Sequence, residues 1–261
     1  MKLIKPEVID ITQTDYSLKG IYKQIELAGR TCYKSEDRIT EDSAEPFVKM
    51  LIERGHGAIL EHGTVYLRLK DGRDILWSYN PYSHIMLGKD GVVTITTNLR
   101  VILENHHEHL LKDENLQYTF GHFRRVSFRI ICSIGIAREL CRHRVFSFAQ
   151  ESTRYCNYSK DKFGGITFIE PYWYEDARPI MQSYFESFLD TASETYFTMI
   201  ENNFTAQQAR EILPLATKTE LVMTGTVSQW KELLKLRLDK AAHPDMRIIA
   251  QKISDLLKKY E

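Results

Sequence analysis

Ile130-Ile131-Cys132-Ser133-Ile134-Gly135-Ile136-Ala137 leads, after four residues, into Arg142-His143-Arg144-Val145-Phe146-Ser147-Phe148-Ala149-Gln150-Glu151-Ser152-Thr153-Arg154. The first run is small or apolar, as a buried element requires. The second carries three arginines, a histidine and a glutamate. Val126–Ile131 reads as a strand and Ser133–Cys141 as a helix that delivers the arginines at its end. A guanidinium is a planar, permanently charged fork that matches phosphate and carboxylate groups bidentately. Three such forks repel one another unless an anion shares the space, so the stretch points to a polyanionic ligand. A solvated basic helix face is the plain alternative for an Arg-x-Arg pair. The apolar run immediately upstream argues against it.

The rest of the composition bounds that reading. A chain of 261 residues can form one large domain, and its 43% hydrophobic and 27% charged residues suit a core with a water-facing surface. Thirty-five basic and thirty-five acidic side chains give a formal net charge of zero. That balance speaks against a protein that coats nucleic acid through excess positive charge, so the anion site must be local. Cys32, Cys132, Cys141 and Cys156 contain no C-x-x-C pair, which reads as a reduced protein rather than a disulfide scaffold. Met1–Pro6 lacks a signal-peptide apolar segment, and no apolar run approaches the ~20 residues of a membrane helix. A cytoplasmic location with no membrane partner is expected.

Outward from the arginines, the periodicities predict a single α+β domain with a mixed or antiparallel sheet and long helices. Residues 2–10 read as one apolar strand interrupted by Pro6. Helices are expected over Tyr16–Cys32 and Ser43–Arg54, the second stopped by Gly55, and a strand over Thr64–Leu69. Between about 71 and 121 lies a probable insertion, with turns at Asp71-Gly72 and Lys89-Asp90-Gly91, a strand over Val92–Thr97 and Asn98 capping a helix. Downstream, helices are predicted over Arg178–Asn203, Ala206–Leu213, Ser228–Arg237 and Asp245–Tyr260, and a strand over Thr219–Val227.

Other polar residues are candidates for the same chemistry. Gly55–Gly63 holds His56, Glu61 and His62 on a tight turn, where histidines are as often capping groups as site residues. Arg210 and Arg237 lie near helix ends, where an arginine is ordinarily a dipole partner facing water. His243 and Asp245 follow Arg237. His106, His107 and His109 cluster with Glu108, yet lack the i, i+4 spacing of a helical zinc motif, and no metal site is expected.

Taken together these residues resemble the flavin-dependent thymidylate synthase family. Arg142-His143-Arg144, seven residues, Ser152 and then Arg154-Tyr155 follow its signature. Gly55-His56-Gly57 with Glu61-His62, Ala209-Arg210 with Leu213-Pro214, and the helix Trp230–Arg237 ending in Leu236-Arg237 resemble three further family segments. The likeness covers roughly residues 25–70 and 125–250. It implies a homotetramer with active sites shared between subunits. It also implies reductive methylation of dUMP to dTMP with FAD, methylenetetrahydrofolate as carbon donor and NADPH as reductant of the flavin.

By matching position, the resemblance places Glu139, Arg142, Gln150, Glu151, Ser152, Thr153, Arg154, Arg210 and Arg237 against dUMP. Arg237 is the catalytic residue it implies, a fixed cation at the pyrimidine. His56, Ala58 and Glu61 line the flavin and folate side. Arg142, His143, Arg144, Gln150, Thr226, Ser228 and Glu232 complete the cofactor contacts. Ser152 reads as a ligand rather than a nucleophile, because it lacks a Ser-His-Asp arrangement. Three features depart from the family pattern: Glu139 stands where glutamine is usual, Gln150-Glu151 reverses a common order, and Thr226, Ser228 and Glu232 replace asparagine and arginine positions. A carboxylate at 139 is tolerable beside a phosphate only if it is protonated or paired with an arginine. Two other readings remain from the residues themselves. One is a nucleotide- or RNA-binding module that stacks bases on Phe146, Phe148, Tyr155 and Tyr158 without chemistry. The other is a metal hydrolase built on the His106–His109 cluster.

Overall fold

Pro6 divides what the sequence reads as a single N-terminal strand. In the computed structural model, which describes residues 2–70, 80–160 and 163–261, β1 (Lys2–Ile4) pairs in parallel with β8 (Thr167–Ile169). β2 (Glu7–Asp10) instead runs antiparallel to β6 (Arg125–Ser133). Proline lacks an N–H for a ladder, so the chain changes sheets where a hydrogen bond is missing anyway. The turn expected at Asp71-Gly72 lies outside the described residues.

The helices follow their signals closely. Ser17 caps α1 (Leu18–Tyr33) by accepting from the Gly20 N–H, and α2 (Ala44–Glu53) is followed by Gly55 in the left-handed region at φ 68°. The glycine- and histidine-rich turn contains one short helix, α3 (Gly57–Leu60), before β3 (Thr64–Leu69). β5 (Val93–Asn98) then pairs with β3 on one side and with β4 (His84–Leu87) on the other, and Asn98 caps α4 (Leu99–Glu104). α5 (Ile134–Leu140) leads to β7 (Ser147–Gln150), a strand the sequence does not announce. α6 (Pro179–Glu201) is the long amphipathic helix. The helix expected over Ala206–Leu213 is instead α7 (Ala206–Ala209) followed by a 3₁₀ turn, Arg210–Ile212. Leu213 is forced into an extended conformation by the following Pro214, which tightens the last turn. β9 (Lys218–Thr226), α8 (Val227–Arg237) and α9 (Pro244–Leu257) complete the fold.

An antiparallel sheet in the order β2-β6-β9-β7 is the centre, and a second sheet, β3-β5-β4, is also antiparallel. Side chains on a strand alternate between faces, and both faces of the central sheet are covered. Val126, Phe128 and Ile130 of β6, with Leu221 and Met223 of β9, pack against Trp230 and Leu233 of α8 and Ile249 and Ile253 of α9. The opposite face of β9 and β7, through Val222 and Ala149, meets Ala28 and Cys32 of α1. Trp230 is fully buried, edge-on to Phe146 at 4.5 Å and Phe128 at 4.9 Å, and its indole donates to the Val126 carbonyl at 3.1 Å. That anchor fixes α8 and therefore the position of its last residue, Arg237. The mixed α+β expectation with an antiparallel sheet is met. Among the described residues no helix is long and apolar enough to cross a membrane.

A polar seam joins the two sheets. The Arg125 guanidinium donates to Thr64 Oγ1 at 3.3 Å, the Thr97 carbonyl at 3.2 Å, the Glu61 carbonyl at 3.1 Å and Ser147 Oγ at 3.3 Å. His62 Nδ1 meets Thr224 Oγ1 at 2.8 Å. Burial first, then the Arg125 charge, hold the His62 imidazole down at about 3. An unfolded histidine titrates near 6.5, so between these values the unfolded chain binds more protons than the native one. The stability contributed by the neutral ring is complete above about pH 6.5 and falls as pH drops towards 3, at roughly 1.4 kcal/mol per pH unit. Urea unfolding at pH 5 is expected to show about 2 kcal/mol less stability than at pH 7 from this group. His62→Gln should flatten the slope, and an unchanged slope in that variant would assign the acid sensitivity elsewhere.

Candidate active site

α5 begins where Ser133 Oγ accepts from the Ile136 N–H at 3.3 Å, and it ends at Leu140. The signature then turns sharply: His143 N donates to the Leu140 carbonyl at 3.1 Å, and Phe146 N to the His143 carbonyl at 3.2 Å. Burial of Phe146 against Trp230 pins this turn. Arg142 and Arg144 are left exposed, and His143 is half-buried. Neither Arg142 nor Arg144 forms a carboxylate pair among the described residues.

Arg237 reaches across to this turn from the end of α8. Its Nε donates to His143 Nε2 at 3.0 Å, Nη1 to Glu139 Oε2 at 3.0 Å, and Nη2 to the Glu139 carbonyl at 3.2 Å. An imidazole nitrogen that accepts carries no proton, so His143 holds its hydrogen on Nδ1. Partial burial, and then the positive Arg237, lower its pKa and keep it neutral. Of the two ways in which a carboxylate is tolerable at position 139, protonation or an arginine partner, the structure shows the second, and Arg237 is that partner. The pair is partly exposed, so its stabilising contribution is about 1 kcal/mol or less. Its consequence is orientation.

The other half of the signature sits at the far end of β7. Gln150 Nε2 donates to Thr219 Oγ1 at 3.2 Å. Glu151 points inward, 4% exposed, and accepts from Lys218 Nζ at 2.8 Å and Tyr158 Oη at 3.2 Å. Burial, and next the Glu151 charge, push the Tyr158 phenol well above its usual range, so it stays a donor. Lys218 also touches Glu220 at 2.6 Å, and Glu220 meets Lys34 at 2.8 Å. Burial alone would raise the Glu220 carboxyl, but the two lysines outweigh it and the pKa is lowered. Ser152 N donates to the Cys32 carbonyl at 2.9 Å, while Ser152 O accepts from the Tyr155 and Cys156 N–H groups. Arg210 Nη1 approaches Thr153 Oγ1 at 3.5 Å, and Arg154 Nε donates to Gln207 Oε1 at 3.0 Å.

The flanking candidates divide similarly. His56 and Ala58 are exposed at α3, and the Glu61 carboxylate accepts from Arg100 Nη1 at 2.8 Å. Thr226 is buried as the cap of α8, in a reciprocal box with Gln229 and 2.9 Å from Ser228 Oγ, whereas Glu232 is exposed. His107 and His109 lie 6.0 Å apart beyond α4, and among the described residues no three His, Cys, Asp or Glu side chains are grouped to hold a metal. Arg100, Arg125, Gln207 and Lys218 enter the site's surroundings without any motif that marks them. Their partners are set by sheet register and helix packing, which local sequence does not display.

Two clusters therefore form in one chain. Glu139, His143 and Arg237 surround the start of β7, and Ser152, Thr153, Arg154 and Arg210 lie beyond its end. A four-residue strand spans roughly 13 Å, and among the described residues no hydrogen bond or ion pair joins the clusters.

Comparison with known proteins bears on this geometry. The profile of a family described as thymidylate synthase complementing protein matches residues 94–260. A protein of Geobacter sulfurreducens named flavin-dependent thymidylate synthase is 26% identical over 168 residues, covering 63% of this chain and 65% of that protein. One of the same name from Pyrococcus furiosus is 29% identical over 128 residues, 49% of this chain and 52% of its own. A third, from Corynebacterium diphtheriae, is 24% identical over 253 residues, 90% of this chain and 73% of its own. The first two matches span less than two thirds of those proteins' own length.

Proposed function

Because the chain belongs to the thymidylate synthase complementing protein family, we propose that it is a flavin-dependent thymidylate synthase. The reaction is reductive methylation of dUMP to dTMP, with methylenetetrahydrofolate as carbon donor, FAD as cofactor and NADPH as source of reducing equivalents. The observation that carries this reading is Arg237, held between His143 and Glu139 beside the exposed Arg142 and Arg144. Exposed guanidiniums without carboxylate partners fit the phosphates of a flavin nucleotide. The bound flavin would supply the hydride.

The protein's own groups supply binding and electrostatics. A guanidinium has five N–H donors; three of Arg237's are committed to His143 and Glu139. Two remain for a pyrimidine oxygen. The fixed charge favours a ring that has lost its N3 proton and so raises the nucleophilicity of C5. Neutral His143 and Glu139 hold that charge in place. Arg154 and Arg210 bind the nucleotide's phosphate. Among the described residues no base is hydrogen-bonded to Ser152 Oγ, which supports a reaction without a covalent enzyme–nucleotide bond.

The two clusters are completed by a second copy of the chain in a homotetramer. The α6 face carrying Ile180, Tyr184 and Phe188 is exposed at i, i+4 and i+8, an apolar stripe that association would cover. Reconstitution tests the cofactor assignment. Purified protein mixed with FAD is expected to retain flavin absorbance through gel filtration, and dUMP should perturb that spectrum. A protein that stays colourless at saturating FAD contradicts the reading.

A further inference from the structure

Among the described residues Arg125 is a buried cation with no carboxylate paired to it. It is 9% exposed, and among the described residues its guanidinium donates to two carbonyls and two hydroxyls and to no carboxylate. Glu61, whose charge reaches it, turns its carboxylate to Arg100 at 2.8 Å. Burying an uncompensated charge costs several kcal/mol, and such a group in a folded protein calls for an explanation. Although burial lowers its pKa to about 10, Arg125 remains positive at neutral pH.

The guanidinium lines a small cleft whose enclosed space is only about 10 Å³. Buried Asn98, Ser147 and Thr226 line it with Arg125, exposed Tyr82 and Val145 flank the entrance, and among the described residues no carboxylate contributes. Asn98 Oδ1 accepts from the Val101 N–H at 3.1 Å, and Gln229 Oε1 from the Thr226 N–H at 2.7 Å. Among the described residues the amide nitrogens of both side chains donate to nothing. The eleven-residue α8 starts here, adding the partial positive charge of a helix N-terminus. His84, which also lines the cleft, is lowered by burial and then by Arg125, so the positive field extends across the space. Pockets that enclose a whole small molecule run from roughly 300 to 1,000 Å³. This one is far smaller and takes no more than a single group, at its open mouth.

We propose that the cleft takes one phosphate-type anion of a nucleotide ligand, bound by Arg125 with the Asn98 and Gln229 amides as further donors. It rests on the flavin reading above only for the identity of that nucleotide. Arg125 then carries part of the cofactor recognition that Thr226, Ser228 and Glu232 do not supply through side-chain charge. Arg125 lies outside all four of the family-like motifs.

Inorganic pyrophosphate is the direct probe, added at low salt to the full-length protein while the His84 ring is followed by NMR. Pyrophosphate is expected to shift the His84 resonances and raise its pKa. Arg125→Gln and Tyr82→Glu should each weaken that response by about ten-fold or more, the loss expected for a charged hydrogen bond. FAD affinity should fall in parallel, whereas riboflavin, which lacks phosphate, should bind both variants as it binds the parent. Pyrophosphate that leaves His84 unmoved, including binding at Arg142 and Arg144 alone, overturns the proposal. Unchanged affinity in both variants does so as well. Should Arg125→Gln fail to fold, Tyr82→Glu and the parent His84 titration decide the matter. A His84 response to pyrophosphate without FAD binding keeps the anion site and rejects the flavin reading. FAD binding that is indifferent to both substitutions does the reverse.

Discussion

Arg237→Ala is expected to lower kcat by about two to three orders of magnitude, the loss typical of removing one preorganised electrostatic group. Stability should change by about 1 kcal/mol or less, because the Arg237–Glu139 contact is part-exposed and the freed carboxylate can be hydrated. The two readouts separate chemistry from folding. A third is specific to the geometry. Arg237 is one of the causes that lower the His143 pKa, so its removal should let His143 titrate closer to an ordinary histidine. Arg237→Lys keeps the charge but not the three-way fork that meets His143 and the carboxylate and backbone carbonyl of Glu139. It should recover the His143 pKa and only part of the turnover. A melting temperature depressed as far as by a core truncation, with kcat almost unchanged, would make Arg237 a structural residue.

The largest stability effect is expected at Lys218. Lys218→Met leaves the Glu151 carboxylate buried with Tyr158 as its remaining donor, whereas Glu220 keeps Lys34. Breaking one side of a buried ion pair typically costs about 3–5 kcal/mol. For a chain of this size that corresponds to a melting temperature lower by roughly 6–20 °C. Adding Glu151→Gln removes the stranded charge and should restore much of the loss, since replacing both partners is often close to neutral. A double variant no more stable than Lys218→Met would show that the pair is not the unit that matters. The Ser152–Arg154 turn follows Glu151 directly, so the single variant should also weaken dUMP binding.

The sequence displays some of this arrangement plainly and hides the rest. The apolar run before Arg142 and the apolar positions Leu233, Leu234 and Leu236 are local patterns that locate α5 and α8 with their terminal arginines, although Leu236 is exposed and Trp230 takes its place in the core. That Glu139 is either protonated or paired with an arginine follows from the phosphate that the family resemblance places beside it. Its partner lies 98 residues away, which no local pattern could indicate. β7 is only four residues long and sits inside a charged motif, so its strand character comes from pairing Ser147–Gln150 with Leu221–Thr224. Arg125 stands opposite Thr226 only through the β6–β9 register. Glu151 looks like a nucleotide ligand in the motif, but its side chain is drawn inward by Lys218, a residue outside every recognisable segment. Local patterns thus give elements and their ends, while the charge partners that define the site come from long-range packing.

In the proposed reaction the arginine-rich turn and Arg237 activate C5 of dUMP for methylation. Release of tritium from [5-³H]dUMP, with FAD-loaded protein, methylenetetrahydrofolate and NADPH, reads that step directly. The expected result is release that depends on every component, matched by dTMP formation and reduced by about two to three orders of magnitude in Arg237→Ala. Folded, FAD-loaded protein that releases no tritium under these conditions would contradict the account.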